Sequence, residues 1–409
     1  MEAYSEILKS RISDPSFDFR KESMVRFLKS PIRDYKESPT VKDYVEVTDN
    51  ELVQMASGGY GKKIFPIPDE KSDIIVLGNE FTMDKTTSKD YEVEYLSAIL
   101  EKSPEIRDKV LSFFGNEREE HLINSSWQGG IFIRIKPDVS TAIDVKSIIS
   151  ASDSGAQKDF IWVGRNSKLT LSEERLSHGK GNGVQGRNIY FYLEEGANLD
   201  YHYLQDKDDG VFDITYIKAF GESNSLATIY HINHGSGKVL FQNESNQMGD
   251  QADYKVFGVS FSAGSQKIDI RDSSFQQGKS TNADIHVRGV VTGESSTIHR
   301  GNIDIEFESK KSTGFYDSRI VLLSKLGYAN SKPALMIKNN DTRSKHGSAI
   351  SSIDKEELTY IRSRGISEKE AKSMISAGFV GSMIEKANNQ RFTDKVYQFA
   401  QELKIDGIE

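Results

Sequence analysis

From about residue 121 to residue 340 apolar and polar residues alternate with a period of two. Ile131-Phe132-Ile133-Arg134-Ile135, Lys168-Leu169-Thr170-Leu171 and Ile189-Tyr190-Phe191-Tyr192-Leu193 are early examples. Lys255 to Val259, Lys267 to Ile270, Ile285-His286-Val287 and Asn302 to Phe307 continue the pattern. Residues two apart share one face of a strand, so each segment reads as a short β-strand with two or three inward positions. Gly, Asn, Asp and Ser separate them, as tight turns require. No helical run of ten residues intervenes, which removes the crossovers that a doubly wound α/β sheet needs. Sandwich, barrel, propeller and parallel β-helix remain. Short inward faces, with Gly and Asn at presumed corners such as Gly289, Gly293 and Gly301-Asn302, favour the β-helix. At about 20 residues per coil, roughly 220 residues predict on the order of ten coils and a rod roughly 50 Å long.

The two ends read as helical. Tyr4, Ile7, Leu8 and Ile12 keep helical spacing, and Asp90 to Leu100 reads as another helix. Val110, Leu111, Phe113 and Phe114 close this region, and Ser57-Gly58-Gly59-Tyr60-Gly61 reads as a flexible connection. Beyond residue 350, Asp354 with Glu357 predicts a helix start and Arg364-Gly365 its end, and Ser367 with Glu370 forms a second capping box. The following helix predicts a buried line through Ala371, Met374, Ile375, Gly378, Phe379, Ser382 and Met383, and a third helix one through Phe392, Val396, Phe399 and Leu403. The expected division is therefore 1–118 mostly helical, 119–349 β core and 350–409 helical. A terminal unit that small has a limited core and should lean on the rod or on a partner.

Composition narrows the function. A net charge of −8 and the absence of a Lys/Arg-rich run argue against nucleic acid or anionic lipid as partners. No apolar run is long enough to span a bilayer, and the N-terminus lacks a secretory pattern, so a cytoplasmic location is expected. There is no cysteine. Disulfides, thiolate nucleophiles and cysteine-ligated metals cannot come from this chain.

Several motifs have two readings. Gly181-Asn182-Gly183-Val184-Gln185-Gly186 fits a dinucleotide fingerprint in letters, but β-like residues follow it where a helix must begin, so it reads as a mobile turn. Gly58-Gly59-Tyr60-Gly61-Lys62-Lys63 lacks the phosphate-loop spacing. His231 and His234 could pair on a metal, and His286 and His299 could stack on neighbouring strands; structural roles are the simpler reading of both. Asp304, Glu306 and Glu308 could serve glycosidase chemistry or form a solvated acidic strip. Asp341 to Ser348 joins the last strand, Pro333 to Ile337, to the C-terminal helices and places His346 beside Gly347.

At this junction the sequence resembles the SufB/SufD family. The resemblance lies in Ser331-Lys332-Pro333-Ala334-Leu335, Ser344-Lys345-His346-Gly347-Ser348 and Glu357-Leu358-Thr359-Tyr360-Ile361-Arg362-Ser363-Arg364-Gly365-Ile366. Ser126-Trp127-Gln128-Gly129-Gly130 and the stretch from Ser280 to Gly301 add to it, so that it covers about residues 120–385. The resemblance implies a mainly β protein: a right-handed parallel β-helix core flanked by N-terminal and C-terminal α-helical regions.

It also implies a role in iron–sulfur cluster assembly. Arg175 and Tyr316 stand where SufB-type chains carry cysteines, and His346-Gly347-Ser348 replaces an acidic motif, which makes the chain similar to the SufD branch. His346 then matches a histidine that faces the SufB cysteine and could contribute one metal ligand at a shared interface. Ser344 departs from the branch, which usually carries a cysteine just before that histidine.

The implied role is a non-catalytic scaffold that pairs with a SufB-type protein and docks a SufC-type ATPase on its C-terminal region. The residues expected there are Asp354, Glu357, Tyr360, Arg362, Arg364 and Gly365. No cofactor is expected to bind this chain stably alone; iron or a cluster would be shared transiently with the partner. The competing readings are a carbohydrate-active β-helix enzyme and a homodimeric scaffold.

Overall fold

The computed structural model describes residues 2–9, 11–34, 41–61, 72–83 and 88–402. Its core is a parallel β-solenoid. The chain alternates between two sheets, so that each strand pairs with the strand after next. The first sheet stacks eight parallel strands from Ser140–Ser150 to Thr342–Ser352, and the second stacks eight from Ile131–Ile135 to Tyr328–Ile337. There are thus eight turns, not ten. Lys238 pairs with Lys267 and Lys267 with Ser296, a step of 29 residues rather than 20. The strands are mostly ten residues long, because the alternation continues through polar positions that hydrophobicity alone does not mark. At ~4.8 Å per turn the stack is about 38 Å long.

The corners repeat. Asp138, Asn166, Gly196, Asn224, Gln251, Ser280 and Lys311 each adopt a left-handed conformation, with φ between 54° and 71°. Each amide donates to a carbonyl of the next turn, from Asp138 to Arg165 at 2.9 Å through Lys311 to Asp341 at 2.6 Å. One left-handed residue per turn reverses the chain while keeping its backbone paired.

Gly289 and Gly301 lie within strands instead of at corners. A Cβ on Gly289 would come within 3.0 Å of the His299 ring, and one on Gly301 within 2.2 Å of the Tyr316 ring. Gly258 likewise leaves room for His231, whose ring a Cβ would meet at 2.3 Å. These glycines make space for rings that point into the solenoid.

Helices cover both outer faces. N-terminal helices bury Met24, Phe27, Leu52, Met55 and Leu122 against Phe160, Tyr190, Tyr216 and Leu240 of the second sheet. On the first sheet, Val380, Ile384, Phe392, Val396 and Phe399 of the C-terminal helices pack on Leu204, Tyr230, Phe257 and Val259. The terminal unit therefore does lean on the rod.

Local expectations change where packing intervenes. Tyr91–Tyr95 is a strand, paired antiparallel with Ile131–Ile135, and only Leu96–Lys102 is helical. The alternation of Tyr91, Val93 and Tyr95 is a strand period that Leu96 to Leu100 masks. The first helix ends at Lys9, leaving Ile12 exposed. In Glu368–Ile384, Ala371 and Met383 are buried as expected and Ile375 and Phe379 half-buried, but Met374 and Gly378 face outward, and Lys372, Ser376, Val380 and Ile384 are buried as well. The Ser382 side chain and Leu403 lie outside the described residues. Gly58 is held in place: Gln128 Nε2 donates to its carbonyl at 2.8 Å, and a Cβ would meet Ser154 O at 2.3 Å.

Gly258→Ala should lower stability by about 1–3 kcal/mol through overpacking against His231, measured by chemical denaturation.

Candidate functional site at the open end of the solenoid

Parallel register carries side-chain orientation from turn to turn, so columns of residues run along the solenoid. One inward column is Tyr201, Ile229, Val256, Ile285, Tyr316 and His346. Tyr316 is buried, whereas His346, one turn further, is exposed. The histidine sits over the solenoid interior only because no further turn covers it. Ser344 and Ser348 lie on the same face of the strand, and Ser331, Pro333 and Leu335 oppose them from the second sheet.

This end differs from the rest of the molecule. Every residue of Tyr328–Ile337 and Thr342–Ser352 is half-buried or exposed, while the inner strands are largely buried. Phe307, Phe315, Met336, Ile337 and Ile350 add apolar surface around it. Both strands end their sheets with one edge of backbone groups unpaired within the sheet, which is a template for another chain. At the opposite end the sheets finish in antiparallel strands, Glu80–Met83 and Tyr91–Tyr95.

Arg175 and Tyr316 both point inward. Arg175 is 1 % exposed and its Nη2 donates to Gln157 Oε1 at 3.2 Å; Tyr316 is 2 % exposed. Around Arg175 the interior is charged. Arg187 bonds Asp159 and Glu173, both at 2.5 Å, and Lys207 pairs with Asp213.

His231, His234, His286 and His299 are each held by neighbouring side chains. Three residues apart on one strand, His231 and His234 face opposite ways. His231 lies inside, 3.2 Å from Asp272, and His234 outside, 2.8 Å from Asp206 and stacked 3.9 Å from the Phe399 ring. His286 and His299 do not stack, because they belong to opposite sheets. His286 is outside, 2.8 Å from Asp284; His299 is inside, 3.0 Å from both Ser260 and Ser318 hydroxyls. Among the described residues no group of three or more His, Asp or Glu is placed to hold a metal. His346 presents a single exposed imidazole at this end.

The acidic strip is neutralised locally. Lys338 Nζ lies 3.4 Å from Asp304 and 2.6 Å from Glu306, while Glu308 follows in the turn. Asp304 and Glu306 thus share one ammonium. Gly181 and Gly183 form a tight corner packed on Ala151 to Asp153, where a Cβ on either would come within 2.5 Å of backbone.

The candidate docking residues form one exposed helix and turn. Asp354 caps Lys355–Ser363 by accepting from the Glu356 amide at 2.8 Å. Tyr360 is 60 % exposed, and Arg364 donates to its hydroxyl at 2.8 Å. Arg362 lies 3.3 Å from Glu368, and Gly365 ends the helix at φ +86°. The Glu357 side chain lies outside the described residues. Met374, 55 % exposed, adds an apolar residue to the outer surface of the C-terminal helices, which the predicted stripe had placed inside.

The model for the SUF system FeS cluster assembly SufBD core domain matches residues 148–379, more than half of the chain. The chain belongs to the SufBD family. An iron-sulfur cluster assembly SufBD family protein of Pyrococcus horikoshii is 25 % identical over 403 residues, covering 94 % of this chain and 87 % of its own length. The iron-sulfur cluster assembly protein SufD of Bacillus subtilis is 22 % identical over 307 residues, 70 % of this chain and 69 % of its own. Escherichia coli SufD is 25 % identical over 162 residues, 39 % of this chain and 38 % of its own. This SufBD protein thus has the solenoid core and the iron–sulfur assembly role of the family, and no helix among its described residues is long and apolar enough to cross a membrane.

Burial pushes His299 down to about 3, although Asp272 opposes the shift. Its neutral form is favoured on folding, so this contribution is complete above the unfolded value of about 6.5 and is lost as pH falls from there toward 3. Between pH 7.5 and 5.5 the protein should lose about 1 kcal/mol more stability than His299→Gln, measured by urea unfolding at both pH values.

Proposed function

We propose that this chain is a SufD-like scaffold subunit of a SUF-type complex, without catalytic residues of its own. It pairs through the open end of its solenoid with a SufB-type scaffold and docks a SufC-type ATPase on its C-terminal helices. The observation that carries the reading is His346 above an uncovered solenoid interior in a chain with no cysteine. A single imidazole beside two sheet edges fits a shared site whose thiolates come from the opposing chain. Iron or a nascent cluster is the cargo of that interface, and the cytoplasm is the expected compartment.

The exposed turn around Tyr360, Arg362 and Arg364 fits a docking surface, with an amphipathic tyrosine and two guanidiniums free of the solenoid core. Asp354 and Gly365 shape that turn through a cap and a left-handed ending. Deleting residues 350–409 would bare Leu204, Tyr230 and Phe257, so point variants test the docking more cleanly than truncation.

The full chain, purified with a SufB-type scaffold and a SufC-type ATPase, should form a complex in size-exclusion chromatography with mass detection. A stable homodimer that excludes the SufB-type chain would defeat the pairing. His346→Ala should keep the melting temperature within a few degrees and lower the iron and sulfide retained by the complex several-fold; unchanged loading would reduce His346 to a turn residue. Tyr360→Ala with Arg364→Glu should weaken ATPase binding at least tenfold by calorimetry, and equal affinity would move the docking surface elsewhere.

A further inference from the structure

Residues 41–47 lie along the second sheet, bent at Asp43 (φ 47°), and lead from its open end back toward earlier turns. Val41, Val45 and Val47 are buried, and Lys42, Asp43 and Glu46 are exposed. The segment follows one register column, Lys238, Lys267, Ser296 and Tyr328, which are the first residues of four successive strands. Lys238 Nζ lies 3.4 Å from the Glu46 carbonyl, and Lys267 Nζ is 4.0 Å from the Asp43 carboxylate. Ser296 Oγ donates to the Asp43 carbonyl at 2.7 Å, and the Lys42 amide donates to the Tyr328 hydroxyl at 2.8 Å. Asn330 Nδ2 donates to the same hydroxyl at 3.1 Å.

The segment is anchored at its other end as well. It enters Asp49–Ser57 through Thr48, which forms a capping box with Glu51, and Glu51 also bonds Lys238 at 2.7 Å. That helix rests on early turns of the solenoid: Met55 fills the space above Gly186, where a Cβ would come within 2.2 Å of its sulfur. One covalent run therefore connects the early turns to the last strand of the second sheet. That strand needs such support, since its residues are at most half-buried and no later turn lies on it.

We propose that residues 41–47 act as a strap that holds Tyr328–Ile337 in register and so sets the backbone edge offered to a partner. Val45 anchors the strap, Ser296 guides it, and the Tyr328 hydroxyl receives its end. The inference rests on the reading of the open end as the pairing surface, but the strap itself can be tested on the chain alone. Hydrogen–deuterium exchange followed by mass spectrometry would compare the full-length protein with Tyr328→Phe and Val45→Ser. Tyr328→Phe removes the acceptor, whereas Val45→Ser loosens the anchor without touching the last strand.

Both variants should raise exchange across 328–337 by roughly threefold to tenfold, the range for one hydrogen bond. The inner strand Lys267–Gln276 should exchange as before. Affinity for the SufB-type partner should fall by a similar factor, with ATPase binding unchanged. Unchanged exchange of 328–337 in Val45→Ser would overturn the strap. Faster exchange in both variants, with no SufB-type binding even by the unmodified chain, would keep the strap and discard the pairing.

Discussion

Parallel pairing between successive turns is the constraint on which this molecule depends. Each backbone group in a strand is satisfied by a strand roughly one turn away in sequence, so every turn must have nearly the same path. The left-handed corner residues enforce that path, each passing its amide hydrogen to the next turn. Because register preserves orientation, a residue's role follows from the column it occupies and from how many turns lie beyond it. Tyr316 and His346 share a column; one is core and the other is a candidate ligand.

A stack of this kind has no intrinsic end, and the two ends here are finished differently. At the N-terminal end the sheets pass into antiparallel strands and the helical region covers the second sheet. At the other end Tyr328–Ile337 and Thr342–Ser352 stop with their outer edges unpaired within the sheets and their inward side chains uncovered. Leaving backbone edges and apolar side chains in water is costly, and proteins that tolerate it commonly meet a partner there. The same logic accounts for the C-terminal helices: they cover the first sheet with Val380, Ile384 and Phe392, leaving Tyr360 and Met374 turned outward.

The interior carries many buried polar and charged groups. Arg187 sits between Asp159 and Glu173, and further along His231 meets Asp272 while His299 lies between two hydroxyls. Such groups are tolerable only when paired, and pairing them requires one register and no other. Shifting a strand by one residue would turn these charges outward and bring surface residues in. Specifying the register is thus a second role for the polar interior.

The period-two alternation determined the β character of the chain from Ile131 to Ile337, although its expected start near residue 121 falls in the helix Arg118–Ser126, and the missing helical crossovers excluded an α/β sheet. The motifs around Ser331, His346 and Tyr360 were enough to identify the family. Those features are local, and local spacing survives in a linear string. The number of turns was not legible, because strand ends are polar in sequence and become strand only when a neighbouring turn supplies hydrogen bonds. Nor were the roles of Gly289 and Gly301. Each resembles a corner glycine, yet its small size serves a ring 10 or 15 residues away in the chain that packing brings against it. His346 could be singled out from its motif, but its exposure depends on being the last rung of a buried column, and only the stacked turns decide where that column stops.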